Sequence, residues 1–538
     1  MPILGSFAAM SARGFGFGVA QPDYFPNRSL RFRSNNSAYM SLTPAAGTQD
    51  RFKIRVDHKR SGLGSKQVII GAGSSSPDLI YFDSSDRICW DFAGTTRLVS
   101  NAVFRDTRAW GTWEFIYDAG NATASLRARV FYEGVEITSW GTDTRSSITT
   151  GTSKINTNVV HNIGRDPAAG TSYISGYLSD AALINNDSDS GFSGGLVNSI
   201  WALKPAIGAK WWLKMSDNSS SSTLGNDSGS DATAWTTSGF SVTAGVTNDS
   251  LVDTPANYGT DTGAGGEVRG NYATLDAISP AGSLPGSGAA TLASGNLVAS
   301  AVGAGAGYGA AANMAFQSSQ YAEFTITGGD TQQNLWVGVS PIASAAAPYV
   351  VYGANGAYYD NGSWSSAGAW STFTTGDIIG VAWNSSTGAV SFYKNGVLQG
   401  TLSAPSSLSS PSTYAMDVFY TSTAASIACN FGQRPFAYAA PSGFKAFCTQ
   451  NFTNTTITTS GTFTGNANAS GPVVYLNGVP TSMTINGNAV TFGTHADKLS
   501  TGFKIRTSSS SYNTNGSNSF SVTATGAATK VARAQVNP

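Results

Sequence analysis

Hydrolysis of a glycosidic bond normally needs two carboxylates roughly 5–10 Å apart, one on each side of the bond. The 538-residue chain holds only five glutamates, Glu114, Glu133, Glu136, Glu267 and Glu323. Glu133 and Glu136 are three positions apart, so on a strand they face opposite sides of a sheet. Asp83 and Asp86 share that parity. Histidine occurs only at His58, His161 and His495, far apart in the sequence and with no Gly-x-Ser-x-Gly elbow beside any of them. Cys89, Cys429 and Cys448 are an odd set without Cys-x-x-Cys spacing, which argues for buried thiols in a chain that folds in a reducing cytoplasm. The Cys/His clusters that zinc requires are missing. No catalytic residues, resident metal or cofactor are therefore expected.

Binding is the better-supported chemistry. The densest run of amphipathic rings is Tyr358-Tyr359-Asp360-Asn361-Gly362-Ser363-Trp364, followed by Trp370. Tyrosine and tryptophan give large contact area at small entropic cost, so Tyr358, Tyr359, Asp360, Trp364 and Trp370 are the candidate binding residues. The alternative is that these rings alternate into a core, a choice that also applies to Trp110 and Trp113. Asp187-x-Asp189-x-Gly191 offers alternating oxygen ligands for calcium, but no glutamate closes the loop. A solvated turn is the plainer account of those aspartates. Near the N-terminus, Gly14, Gly16 and Gly18 alternate with Phe15, Phe17 and Val19. Such an apolar strip suits either strand addition to a neighbour, through Phe15 and Phe17, or the first strand of the domain that follows.

Composition limits what can position these residues. Only 12% of residues are charged while 62 are glycine, too few helix-forming charges for a helical protein. Aromatics make up 11%, too many for a disordered chain. The 31 basic and 31 acidic residues balance, leaving no electrostatic footprint for nucleic acid. No run of about 18 apolar residues is present to insert into a membrane. The N-terminal stretch lacks a basic leader and is interrupted by Arg13, so it reads as an arm instead of a signal peptide.

Period-two alternation predicts strands. Phe52, Ile54 and Val56 alternate with Arg51, Lys53, Arg55 and Asp57, which implies one buried face and one wet face. Trp113, Phe115 and Tyr117 repeat the pattern, as do Ile379, Val381 and Trp383. Asn395-Gly396 and Asn486-Gly487 mark tight hairpins. The predicted fold class is all-β, with tandem antiparallel sandwiches. An arm covers 1–29, a first sandwich 30–191, and an irregular connector 192–285 whose tryptophans pack against its neighbours. A second sandwich covers 286–453, and a small immunoglobulin-like domain 454–538.

Three stretches carry a resemblance. Residues 30–184, ending in Gly176-Tyr177-Leu178-Ser179-Asp180-Ala181, resemble the concanavalin A-like (laminin G-like) sandwiches of phage tail proteins. Gly376-Asp377-Ile378-Ile379-Gly380-Val381-Ala382, with Val390-Ser391-Phe392-Tyr393-Lys394-Asn395-Gly396 and Asn430-Phe431-Gly432-Gln433-Arg434-Pro435-Phe436, resembles a SPRY domain. Asn248-Asp249-Ser250-Leu251-Val252-Asp253-Thr254-Pro255 and Gly270-Asn271-Tyr272 are similar to a connector found beside SPRY domains in tail-fibre-like phage proteins, whose start Ala12-Arg13-Gly14-Phe15-Gly16-Phe17 also resembles. The resemblance implies a virion component, a tail fibre or adhesin. Its partners would be other virion proteins and a host-surface glycan or protein, and fibres of this kind are commonly homotrimers. A purely structural capsid decoration or tail connector is the alternative. A polysaccharide depolymerase ranks third, because the glucanase form of such a sandwich carries Glu-x-Asp-x-x-Glu on one strand, a spacing missing here.

Overall fold

The computed structural model describes residues 25–186, 195–197, 200–202, 208–277, 287–301, 307–314, 316, 318–329, 335–341, 350–360, 362–403, 414–420, 425–452, 455–465, 473–475, 479–492, 495–499, 502–505, 511–512, 514 and 516–526. Phe15, Phe17, Asp187 and Asp189 lie outside these residues. Among the described residues no helix is long and apolar enough to cross a membrane.

The chain is all-β, as its alternation predicts. In the first sandwich one sheet runs Val135–Glu136, Ala128–Tyr132, Gly111–Asp118, Arg51–Arg60, Gly176–Asn185, Ser29–Phe32 and Ser250–Leu251, with Ala209–Leu213 also paired to Gly176–Asn185. The facing sheet runs Trp140–Asp143, Thr95–Val103, Arg87–Phe92, Asp78–Phe82, Gln67–Ala72, His161–Ile163, Tyr39–Leu42 and Thr236–Ser238. Ile54, Trp113 and Phe115 from one sheet share a core with Ile80, Trp90 and Leu98 from the other, and the Trp90 and Phe115 rings meet edge to face at 5.7 Å.

The first sandwich thus extends well past residue 191. The connector contributes two strands to one sheet and one to the other, and its Trp211 and Trp235 sit edge to face inside the first core. Those two indoles explain why the chain around them packs on the first sandwich: each removes a large apolar area from water only by joining that core.

One expectation fails. The charged face of Arg51–Arg60 is not wet, because Lys53, Arg55, Asp57 and Lys59 are all buried. Arg55 reaches Asp180 at 2.5 Å, and Trp212 of the connector donates to the other Asp180 oxygen at 2.8 Å. Thr112 donates to Asp57 at 2.6 Å. Alternation identifies the two faces but not what comes to cover them.

The second sandwich pairs a sheet of Ser287–Ala289, Gly307–Ala311, Tyr414–Tyr420, Leu335–Pro341, Val350–Gly353, Tyr358–Asp360 and Ser363–Trp364 with a second one. That second sheet runs Thr291–Ala293, Val298–Ser300, Ser426–Asn430, Gln320–Gly328, Ile378–Trp383, Val390–Lys394 and Val397–Leu402, with Lys445–Ala446 parallel to Gln320–Gly328. Its Asn395–Gly396 hairpin has φ of 48° and 78°, the left-handed pair that asparagine and glycine tolerate. A third unit has sheets of four and three strands around Met483, Ile485, Phe520 and Val522.

All three cysteines are buried free thiols, and burial pushes Cys89 up to about 12. His161 is a satisfied core residue: Nδ1 lies 2.7 Å from the Val159 carbonyl, and Nε2 accepts from Asn156 N at 3.0 Å. Burial lowers its pKa from 6.5 to about 4. The unfolded histidine protonates near 6.5 and the folded one near 4, so acidification through that window favours the unfolded chain. Thermal scans of wild type and His161→Gln should show the wild type losing stability relative to the variant from pH 6.5 to 4. A difference in melting temperature constant over that range would contradict the neutral, buried imidazole.

Candidate functional site

The aromatic run forms the far end of the seven-stranded sheet of the second sandwich. Val350–Gly353 pairs with Tyr358–Asp360, which turns back onto Ser363–Trp364 at the sheet edge. In this register Tyr358 lies opposite Tyr352, and Tyr359 lies opposite both Val351 and Trp364. Successive side chains point to opposite faces, so the two tyrosines part company.

Tyr358 goes toward the core. Its ring stacks on Trp370 at 4.6 Å, and Trp370 meets buried Tyr352 edge to face at 5.1 Å and Phe392 at 5.6 Å. Gly400 makes room for that indole, since a Cβ there would stand 2.5 Å from the Trp370 ring. Tyr352 is further fixed by its hydroxyl, which donates to the Ser371 carbonyl.

Tyr359 goes the other way, edge to face with Trp364 at 5.1 Å. Trp364 in turn lies 4.7 Å from Trp336 at an interplanar angle of 48°. Trp336 sits opposite Gly353 in the neighbouring strand, where a Cβ would come within 2.9 Å of its indole. Glycine at this one position lets the ring lie against the sheet. Trp364 is 43% exposed, the most open of the described aromatic rings. Together Trp336 and Trp364, with Asn355, Ala357, Ser365 and Ala367, line a concavity of about 260 Å³. The Ser365 hydroxyl accepts from Tyr358 N at 2.9 Å, and the Asn355 carboxamide oxygen accepts from Ala357 N at 3.0 Å. These bonds hold the floor of the site in place. Asp360 is half-buried on the same hairpin, opposite Ser363.

The five candidates therefore divide. Tyr359 and Trp364 belong to the open face and Tyr358 and Trp370 buttress it from behind, while alternation puts Asp360 on the Tyr358 side of the strand. Trp336 was not among them, although a signal for it exists. Leu335, Val337 and Val339 are buried, so alternation assigns Trp336 to the opposite face. Trp110 and Trp113 are both buried, Trp110 donating to Asp253 at 2.9 Å and Trp113 packed on Phe104 and Tyr132.

The carboxylates weighed for acid–base work are engaged in holding loops and strands. Glu133 accepts from Thr112 N at 2.6 Å, and Glu323 accepts from Ala437 N and Tyr438 N at 2.8 Å each. Glu267 binds the Thr262 amide and hydroxyl, Glu114 is buried on the sheet, and Glu136 pairs in the Val135–Glu136 strand. Asp83 is paired with Arg87, which helps hold its carboxyl below the usual range although burial opposes this. Asp86 binds Arg60 and Arg105. Among the described residues no group of three His, Cys, Asp or Glu side chains could hold a metal ion.

No family model matches the sequence, and no curated protein matches it. Solved structures similar to parts of it include the SPRY domain of human HERC1, at 20% identity over 25% of this chain and 87% of that chain, TM-score 0.22. Domains LG4-5 of the mouse laminin alpha1 chain align at 12% identity over 80% of this chain and 98% of that one, TM-score 0.25. A heptameric SAP-like pentraxin from Limulus polyphemus aligns at 12% identity over 31% and 78%, TM-score 0.24. SPRY and laminin G domains thus stand among the neighbours of these β-sandwiches. At such scores the likenesses say nothing of ligand or activity, and the fold rests on the sheet order given above.

The division between open and buttressing rings has a measurable consequence. Trp364→Ala should leave unfolding free energy within about 1 kcal/mol of wild type, whereas Trp370→Ala should cost about 2–3 kcal/mol. Equal costs in chemical denaturation would contradict the assignment of the two indoles to different sides of the sheet.

Proposed function

We propose that this chain is a non-enzymatic bacteriophage virion protein, a tail fibre or adhesin that attaches the particle to a host surface. The observation that carries this reading is the open indole corner of Trp336 and Trp364 over a concavity floored by Asn355 and Ser365. Two indoles set at an angle, with an amide and a hydroxyl between them, suit the apolar face of a sugar ring or a flat side chain. Exposed rings on a rigid sheet bind at small entropic cost, because their support is already ordered. The resemblance of the sequence to tail-fibre-like phage proteins supplies the biological setting.

In this reading the ligand is a host-surface glycan or protein, and the apolar N-terminal segment with Phe15 and Phe17 joins the chain to other virion proteins, in a homotrimer as such fibres commonly form. A purely structural decoration or connector role is the second reading. It is favoured by the extensive burial between the two sandwiches, which suits a spacer.

Purified protein should bind host cells saturably and compete with phage adsorption. Trp336→Ala and Trp364→Ala should each weaken binding by about tenfold or more, as for an interface anchor. Tyr358 and Trp370 should matter only through stability. Folded protein that neither binds nor competes would remove the adhesin reading and leave the structural one.

A further inference from the structure

Away from the aromatic site, three side chains from distant parts of the sequence meet in the seam between the sandwiches. Lys59 is fully buried on the Arg51–Arg60 strand. Its Nζ lies 2.9 Å from Asp253 Oδ2, 2.7 Å from Asn271 Oδ1 and 2.7 Å from the Tyr272 carbonyl. Asp253 is itself buried, and its other oxygen accepts from Trp110 Nε1 at 2.9 Å and Tyr272 N at 3.2 Å. The Tyr177 ring stands 5.5 Å from Nζ, so aromatic side chains wall the group. The Asn271 amide nitrogen donates to the Arg108 carbonyl at 2.7 Å, which fixes the carboxamide with its oxygen toward the lysine.

We propose that Lys59 and Asn271 form an intramolecular isopeptide bond, with Asp253 as the proton carrier. An amine and a carboxamide do not condense in water at a useful rate. Here they are held in contact, with the amine buried and a buried carboxylate touching it. Lys59 passes a proton to Asp253 Oδ2, and the neutral Nζ attacks Asn271 Cγ, one bond from the oxygen it already touches. A second Nζ proton travels by way of Asp253 to the amide nitrogen, the Cγ–Nδ2 bond breaks, and ammonia leaves. The third Nζ proton stays on the new amide. Asp253 ends protonated beside an uncharged bond, so the charge of the starting ion pair is balanced and no oxidant is needed. The reaction also relieves the seam of a buried ion pair, whose desolvation is costly.

The linked residues are 212 positions apart, so the bond would tie the first sandwich covalently to the segment that packs under the second. A particle-surface protein under load would gain from that closure.

Intact-mass measurement of the denatured full-length chain tests this. Wild type should be lighter than its sequence by one ammonia, and a protease digest should yield one branched peptide joining Lys59 to Asn271. Asp253→Asn should restore the full mass and the two linear peptides. A wild-type chain at full mass with a linear Lys59 peptide would overturn the proposal, as would loss of ammonia without the branched peptide. An Asp253→Asn chain still carrying the branch would overturn the assigned role of Asp253. Should that variant not fold, the wild-type mass and digest decide the bond by themselves.

Discussion

The arrangement of the two large sandwiches depends on carboxylates buried in the seam between them. Asp253 takes Lys59 from the first sandwich together with Trp110 and the Tyr272 amide. Asp249, fully buried, takes Arg31 at 3.0 Å and Arg33 at 2.7 Å, and also accepts from Ser241 N at 2.9 Å. Asp276 takes Arg108 at 2.6 Å. Asp253 and Asp276 lie in the segment that links the sandwiches and Asp249 just before the Ser250–Leu251 strand of the first, and all their cations come from the first. Removing one partner of such a pair leaves an uncompensated buried charge, at a cost of about 3–5 kcal/mol.

Apolar packing follows the same line. Trp110, Tyr177 and Leu251 belong to one continuous cluster with Leu297, Phe324 and Phe431 of the second sandwich. The Tyr177 hydroxyl donates to the Gly295 carbonyl, and Asn296 donates to Ser61 O at 3.2 Å. Val252, Val268 and Tyr272 of the linking segment pack against Tyr321 and Phe436. Arg434, near the end of the second sandwich, donates to Val246 O at 2.7 Å, so hydrogen bonds also return toward the first. The result is a continuously packed platform carrying the aromatic hairpin at one sheet edge. Packing of that kind helps a binding face, because little remains to be ordered when a ligand arrives.

What the sequence disclosed tracks how local each signal is. The strands around Phe52, Trp113 and Ile379 follow from alternation, and the hairpins at Asn395–Gly396 and Asn486–Gly487 from two adjacent residues that tolerate positive φ. The covering of Arg55, Asp57 and Lys59 was not legible. It arises from Asp180, Trp212 and Asp253, which lie far along the chain and have no periodic relation to the strand they cover. The aromatic run at 358–364 was visible as a cluster, yet its split into open and buttressing rings needed the register that puts Tyr358 beside Tyr352. Trp336 escaped for the related reason that its partner across the sheet, Gly353, is noticed only once the strands are paired.

If the buried carboxylates do unite the sandwiches, the two should lose structure together. Hydrogen exchange followed by mass spectrometry across a denaturant series reads this directly, comparing the Arg51–Arg60 strand with Gln320–Gly328. A single shared loss of protection in both strands is the predicted result. One sandwich exchanging freely while the other stays protected would contradict a fused unit, and would make the seam a contact between independent domains.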